Sequence, residues 1–204
     1  MSVKVYVEGG GDHNKALDAA CRRGFTESFR KAGLEDRMPR VVSCGGRGGA
    51  FNSFRTSHNN AGDYYFPILL VDSEADMAGL DAWEHVGRRD GWQRPDGASP
   101  DQLHLMVQAM EAWFHADKET VQEYYGRGFR PAALSPRPDI DNIPKADLFA
   151  GLKAATRACP TKGEYSKGGH SFEILAMVDP GKVRASSPVH VGRLLNVLDR
   201  ICVR

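Results

Sequence analysis

The sequence predicts an α/β fold: a mostly parallel sheet flanked by helices, with a helical C-terminal extension. Three observations carry this. Val3-Lys-Val-Tyr-Val7 and Phe66-Pro-Ile-Leu-Leu-Val71 are apolar, β-branched runs of strand length, the kind that belongs to strands covered on both faces. Helical periodicities alternate with such runs in the first half of the chain, as in βαβ architectures. Beyond residue 126 only helical patterns recur. Both runs also stop on acids: Glu8, then Gly9-Gly10-Gly11 and Asp12; and Asp72, then Glu74 and Asp76. In a parallel sheet the strands' carboxyl ends share one edge, where ligands bind.

Taken in order, the glycines after Glu8 predict a tight turn in which backbone approaches a ligand. A helix follows over 13–32, with Leu17, Cys21, Phe25 and Phe29 recurring every four residues and Gly33 as C-cap. A short strand over 39–44 closes on Gly45-Gly46-Arg47-Gly48-Gly49. A helix over 51–58 and the turn Asn59–Asp63 lead to the central acidic strand. Residues 77–101, with the aperiodic stretch Arg88–Gly97, read as a long functional or mobile loop. Leu103–Val107 is a fourth strand, and Glu111 falls just past its end.

Asp117 is expected to cap a helix over 118–125, and 126–144, with four prolines, is a connector. Helical patterns then surround Leu148–Ala155 and Phe172–Val178. A last helix is entered by Ser187-Pro188, with Val191, Leu194, Leu198 and Cys202 on one face. The division is a core over 1–125 and an extension over 126–204, compatible with one compact domain.

Length and an apolar fraction of 41% support one domain of this size. With 27 Lys and Arg against 26 Asp and Glu, net charge gives no global argument for nucleic acid. The four cysteines lack zinc spacing, and Cys21 and Cys202 read as small apolar residues on helix faces. The absence of a basic-then-apolar leader and of any run of spanning length predicts a cytoplasmic protein without a membrane partner.

The chemistry lies in the acids. Carboxylates crowded on one rim repel unless a cation sits among them, and an all-oxygen ligand set suits Mg²⁺, or Mn²⁺ in its place. Glu8, Asp12, Asp72, Glu74 and Glu111 are the expected metal ligands. Asp12 reads equally as a helix cap, and Glu111 as an acid at a helix start. Gly9, Gly10, Gly45 and Gly46, with Arg47 as the charge, are expected to cradle phosphate or substrate. Neither glycine run completes a P-loop or dinucleotide fingerprint. The basic, glycine-rich loop 161–170 offers Lys162, Lys167 and His170, which join Glu8 as expected catalytic residues. Arg88, Arg89 and Arg94 offer a local basic face, and His104 reads as a core histidine.

Val7-Glu8-Gly9 with Asp12, and Leu70-Val71-Asp72-Ser73-Glu74, resemble the toprim domain, a metal-binding α/β fold of primases, topoisomerases and certain nucleases. The whole chain is similar to the bacterial family catalogued as domain of unknown function 4276. That similarity lies in Val7–Asp12, Cys44–Gly46, Leu70–Glu74, His104–Asp117, Thr161–Tyr165 and Val183–Pro188. The toprim resemblance implies that Glu8 is the catalytic glutamate and Asp72 a metal ligand. Glu74 stands where toprim domains carry a second aspartate, and Asp12 and Glu111 match acids that related nucleases use for a second ion. It implies a Mg²⁺-dependent nuclease or phosphodiesterase acting on DNA or RNA, working in phage defence with a separate ATPase. The alternatives are a catalytically weak interaction subunit of an ATPase complex and a small-molecule phosphohydrolase.

Overall fold

The core is built on β3 (Tyr65–Asp72), whose last six residues are all buried. Its neighbours explain why. In the computed structural model, which describes residues 2–11, 14–62 and 65–202, β3 lies between β1 (Ser2–Val7) and β4 (Leu103–Met106), with β2 (Arg40–Ser43) beyond β1. All three pairings are parallel. Both faces are covered. Val3, Val5, Val7, Ile68 and Leu70 pack with Cys21, Phe25 and Phe29 of α1 (Lys15–Phe29). Tyr6, Leu69 and Val71 pack on the opposite face with Phe51 and Phe54 of α2 (Arg47–Asn59) and with Trp83 and Val86 of α3 (Ala82–Asp90). A fully buried side chain such as Phe25 contributes about 2–3 kcal/mol from area removed from water.

The strand order 2-1-3-4 places a reversal between β1 and β3: the chain steps outward from β1 to β2, then crosses back to β3 and β4. At such a switch point the connections leave in opposite directions and open a crevice beyond the strands' carboxyl ends. Glu8 and Asp72 stand at that crevice.

Asn14 caps α1 by accepting the Leu17 N–H at 3.1 Å. The α-helix ends at Phe29, short of the expected residue 32, in a wider turn over Arg30–Leu34 where Gly33 takes φ 89. Its expected start at His13 lies outside the described residues. Of the second glycine run only Gly45 and Gly46 form a turn, and the rest is helical. α2 begins at Arg47 instead of Phe51, and at Gly49 a Cβ would lie 2.6 Å from the Cys44 carbonyl oxygen. The expected loop over 77–101 also contains a helix, α3, started by a reciprocal capping box between Asp81 and Glu84 and stopped by Gly91 at φ 70.

The remaining elements are α4 (Ala112–Ala116), α5 (Lys118–Tyr125, capped by Asp117 as expected), α6 (Lys145–Thr156), α7 (Ser171–Met177), α8 (Pro180–Ser186) and α9 (His190–Ile201). The sequence reading omitted α8, which Asp179 caps and Pro180 begins. One apolar cluster runs from Val5 through Trp113 to Leu194 and Leu198 of α9. α7 lies against α1 at Gly24, where a Cβ would stand 2.8 Å from the Phe172 carbonyl oxygen. No helix among the described residues is long and apolar enough to cross a membrane.

Candidate metal and phosphate site

Glu8 follows β1 directly and extends the ladder, its N–H donating to the Leu70 carbonyl at 3.1 Å. Asp72 ends β3, is 3% exposed, and accepts the Met110 N–H at 2.8 Å. Glu74 sits two residues on in a left-handed conformation, φ 69, which a non-glycine residue adopts only when its surroundings hold it there. Its N–H is held by the Gln108 carbonyl at 2.8 Å. One carboxylate oxygen from each of the three lies within 4.8 Å of the others. The Asp72 N–H also donates to Glu8 Oε2 at 3.3 Å.

The two glycine runs meet beside these acids. Gly9 and Gly45 exchange backbone hydrogen bonds, both 2.9 Å. Gly10, at φ 88, has no room for a side chain: a Cβ would fall 2.2 Å from Asp18 Oδ1 and from Ser43 Oγ. Gly9, Gly10, Gly45 and Gly46 line a cleft of about 320 Å³ together with Glu8 and Asp72, and Lys167, Ser171 and Phe172 close its other side. Gly46 is also the N-cap of α2, and no side chain caps that terminus. Free N–H groups and the helix dipole make such an end receptive to phosphate.

Four cations hold the acids. Lys167 Nζ lies 3.4 Å from Asp72 Oδ2, and Arg47 Nη1 3.6 Å from Glu8 Oε2. Glu74 is gripped by Lys145 at 2.5 Å and faced by Arg89 at 3.7 Å. The electrostatics follow. Burial, with the charges of Glu111 and Glu8 added, pushes the Asp72 carboxyl up to about 7 against the pull of Lys167. Burial likewise raises Glu8, Arg47 opposing. Burial raises Glu74 too, but the Lys145 hydrogen bond and charge outweigh it and hold that carboxyl low.

The expected site residues divide. Glu8, Asp72, Glu74, Lys167 and the four glycines come together, while Asp12 lies outside the described residues. Glu111 is not one of the trio, though its charge acts on Asp72 and Lys167: it is fully buried, its Oε1 accepts the Tyr165 hydroxyl at 2.8 Å, and its Oε2 has no partner among the described residues. Arg47 is not free for phosphate. Its guanidinium donates to Asp90 at 3.1 and 2.7 Å and to the Asp72 carbonyl, and it stacks on Trp92. Lys162 faces Glu173 at 3.6 Å and the Tyr124 ring, and His170 Nδ1 meets the Tyr125 hydroxyl at 2.9 Å. Neither lines the cleft. Asp76 accepts the Ala78 N–H in its own turn. Arg89 is drawn into the rim, and Arg94 donates to the Ala98 carbonyl.

Sequence reasoning missed Lys145, Asp90 and the Tyr165–Ser171 pair. The last two hydroxyls are 2.8 Å apart, and Ser171 Oγ accepts the Gly168 N–H at 3.1 Å, fixing the turn that carries Lys167. The donors of the trio are all carboxylate oxygens, which suit a hard divalent cation. The Lys167 and Arg47 contacts are long enough to leave carboxylate lone pairs open to one. On donor chemistry, then, Glu8, Asp72 and Glu74 fit such an ion.

Fold and site together define an open, parallel α/β protein with an acidic, glycine-floored cleft at its switch point. The family model described as domain of unknown function (DUF4276) matches residues 7–199, and the chain belongs to that family. Neither the curated proteins nor the solved structures contain a match to it.

Proposed function

We propose that this protein is a toprim-like, Mg²⁺- or Mn²⁺-dependent phosphodiesterase that cleaves DNA or RNA. One observation carries the reading: three carboxylates within 4.8 Å of one another at the switch point, beside an uncapped helix N-terminus on a glycine floor. Asp72 and Glu74 would hold the ion, and Glu8 would share it or handle the proton. Such an ion would supply Lewis-acid activation of the scissile phosphate. The chain's own groups do the rest. N–H groups at Gly46 and the first turn of α2 bind phosphate oxygens. Lys167 supplies positive charge where the phosphoryl group gains negative charge. Glu8, its carboxyl raised by burial, accepts a proton from the attacking water or returns one to the leaving oxygen. The toprim resemblance also supports a separate ATPase partner and a place in phage defence.

The test is a calorimetric titration of Mg²⁺ and Mn²⁺ into wild type and Asp72→Asn, with plasmid nicking and RNA cleavage followed in the same buffers. Wild type binds and cleaves. The variant loses about 10–100-fold in metal affinity, and cleavage with it. The four cations on the rim favour a second reading, a self-neutralised site in a catalytically weak subunit of an ATPase complex. Wild type that binds no metal establishes that reading instead.

A further inference from the structure

A second, open groove of about 570 Å³ runs beside the cleft, between α2 and the segment after α3, and its lining is mainly polar. Gly46 lines the cleft and Gly48 lines the groove. They are two residues apart in the first turn of α2, and a Cβ built on either meets no atom within 4 Å. Cleft and groove are therefore neighbours at the N-terminus of a 13-residue helix, with Arg47 between them reaching Glu8 of the one and Trp92 of the other.

The groove wall is fixed to the acidic rim. Trp92 stacks on Phe51 with ring centroids 4.4 Å apart and planes 4° from parallel, and Arg47 covers Trp92 at 4.8 Å. The same guanidinium reaches Asp90 and Glu8. Along the groove stand the amides of Asn52, Asn59 and Gln93, with Arg55, which donates to Asn52 Oδ1 at 3.2 Å, and Arg94 as cations and Asp96 as an acid. Amide side chains both donate and accept, which matches the mixed edges of nucleobases. Those edges are fully open only when unpaired. A duplex held by its backbone needs a broad basic face, and the groove itself carries Arg55 and Arg94 against Asp96.

We infer that the substrate is a single-stranded polynucleotide, its target phosphate in the acidic cleft and the adjoining nucleotides crossing Gly46–Gly48 into the Asn52–Asn59–Gln93 groove. This deepens the nuclease reading and rests on it. Gly48→Leu obstructs the crossing at an open position, and Arg55→Glu reverses the groove's charge. The test is fluorescence anisotropy with labelled ten-nucleotide single-stranded DNA, single-stranded RNA and a ten-base-pair duplex, in Ca²⁺. Mn²⁺ calorimetry and circular dichroism accompany it on the same proteins. Wild type is expected to bind one or both single strands about tenfold more tightly than duplex, the DNA and RNA arms identifying the sugar. Each variant weakens strand binding about tenfold with Mn²⁺ affinity and fold unchanged. Wild type that binds Mn²⁺ but prefers duplex or binds no strand overturns the inference, as do variants that bind strands normally. Wild type that binds no Mn²⁺ overturns the nuclease reading, and this inference with it.

Discussion

Asp72 and Asp117 are both closed to solvent, 3% and 1% exposed, but Asp72 lies far deeper among packed atoms, and their surroundings treat them in opposite ways. Asp117 accepts from the Thr120 N–H and hydroxyl at 3.4 and 2.7 Å, the Asp179 N–H at 3.0 Å and Lys182 Nζ at 2.8 Å. Burial raises its carboxyl, but Lys182, Thr120 and Asp179 outweigh that and hold it below the usual aspartate range. Asp72 has one short backbone donor and a lysine at 3.4 Å, so burial dominates and carries it up to about 7. Depth and donors differ together, and the two decide whether a carboxylate closed to solvent is a strut or a group kept available for a ligand.

The largest effect that would break the contrast belongs to Asp117. Asp117→Ala removes the cap of α5 and its tie to α8, leaving the Asp179 N–H without its acceptor. Denaturant unfolding should show a loss of about 3 kcal/mol, while Mn²⁺ affinity stays at the wild-type value. Equal losses of both would show that Asp117 serves the cleft.

Asp72→Asn should behave in the opposite sense. Because the folded-state pKa lies above the unfolded value, the native state holds the proton more tightly. The group therefore costs stability as pH rises from about 4 to about 7. In metal-free buffer the variant should match wild type near pH 4 and exceed it by up to about 4 kcal/mol at pH 8. For Asp117 the sign reverses: its contribution is full above the unfolded pKa and is lost as pH falls through the folded one. A stability difference independent of pH would refute the assignment for Asp72.

The smallest effect sharpens the comparison at its exposed edge. Glu119 reaches Lys182 at 2.5 Å but is 87% exposed, and solvent screens such pairs. Glu119→Gln should shift the unfolding free energy by no more than about 0.5 kcal/mol. A larger loss would make the Lys182 cluster, and not Asp117 alone, the strut.

The sheet was readable because β1 and β3 are buried on both faces, so their residues form unbroken apolar runs ending on Glu8 and Asp72. The paired glycine turns were readable too, since Gly9, Gly10 and Gly45 all need positive φ. Other features left weaker marks. α3 hides among turn formers, although Asp81 and Glu84 spell a capping box. α8 is announced only by Asp179-Pro180. Of the three basic residues in loop 161–170, only Lys167 turns toward Asp72, because Tyr165 and Ser171 orient the turn from below, and no local spacing encodes that direction. Lys145 carried a faint signal: a cation at a helix start runs against the dipole, and Glu74 is what holds it there. Asp90, 43 residues from Arg47, carried none.

The seating of α7 against Gly24 has a temporal meaning. The acids at residues 8, 72 and 74 are synthesised early, but the lysine and the wall that face them arrive only with residues 167–172. A chain still short of residue 167 presents Asp72 without Lys167, although Arg47, Arg89 and Lys145 already face Glu8 and Glu74. The cleft closes only when the last third of the polypeptide docks on the first helix, so the site is complete only in a finished molecule.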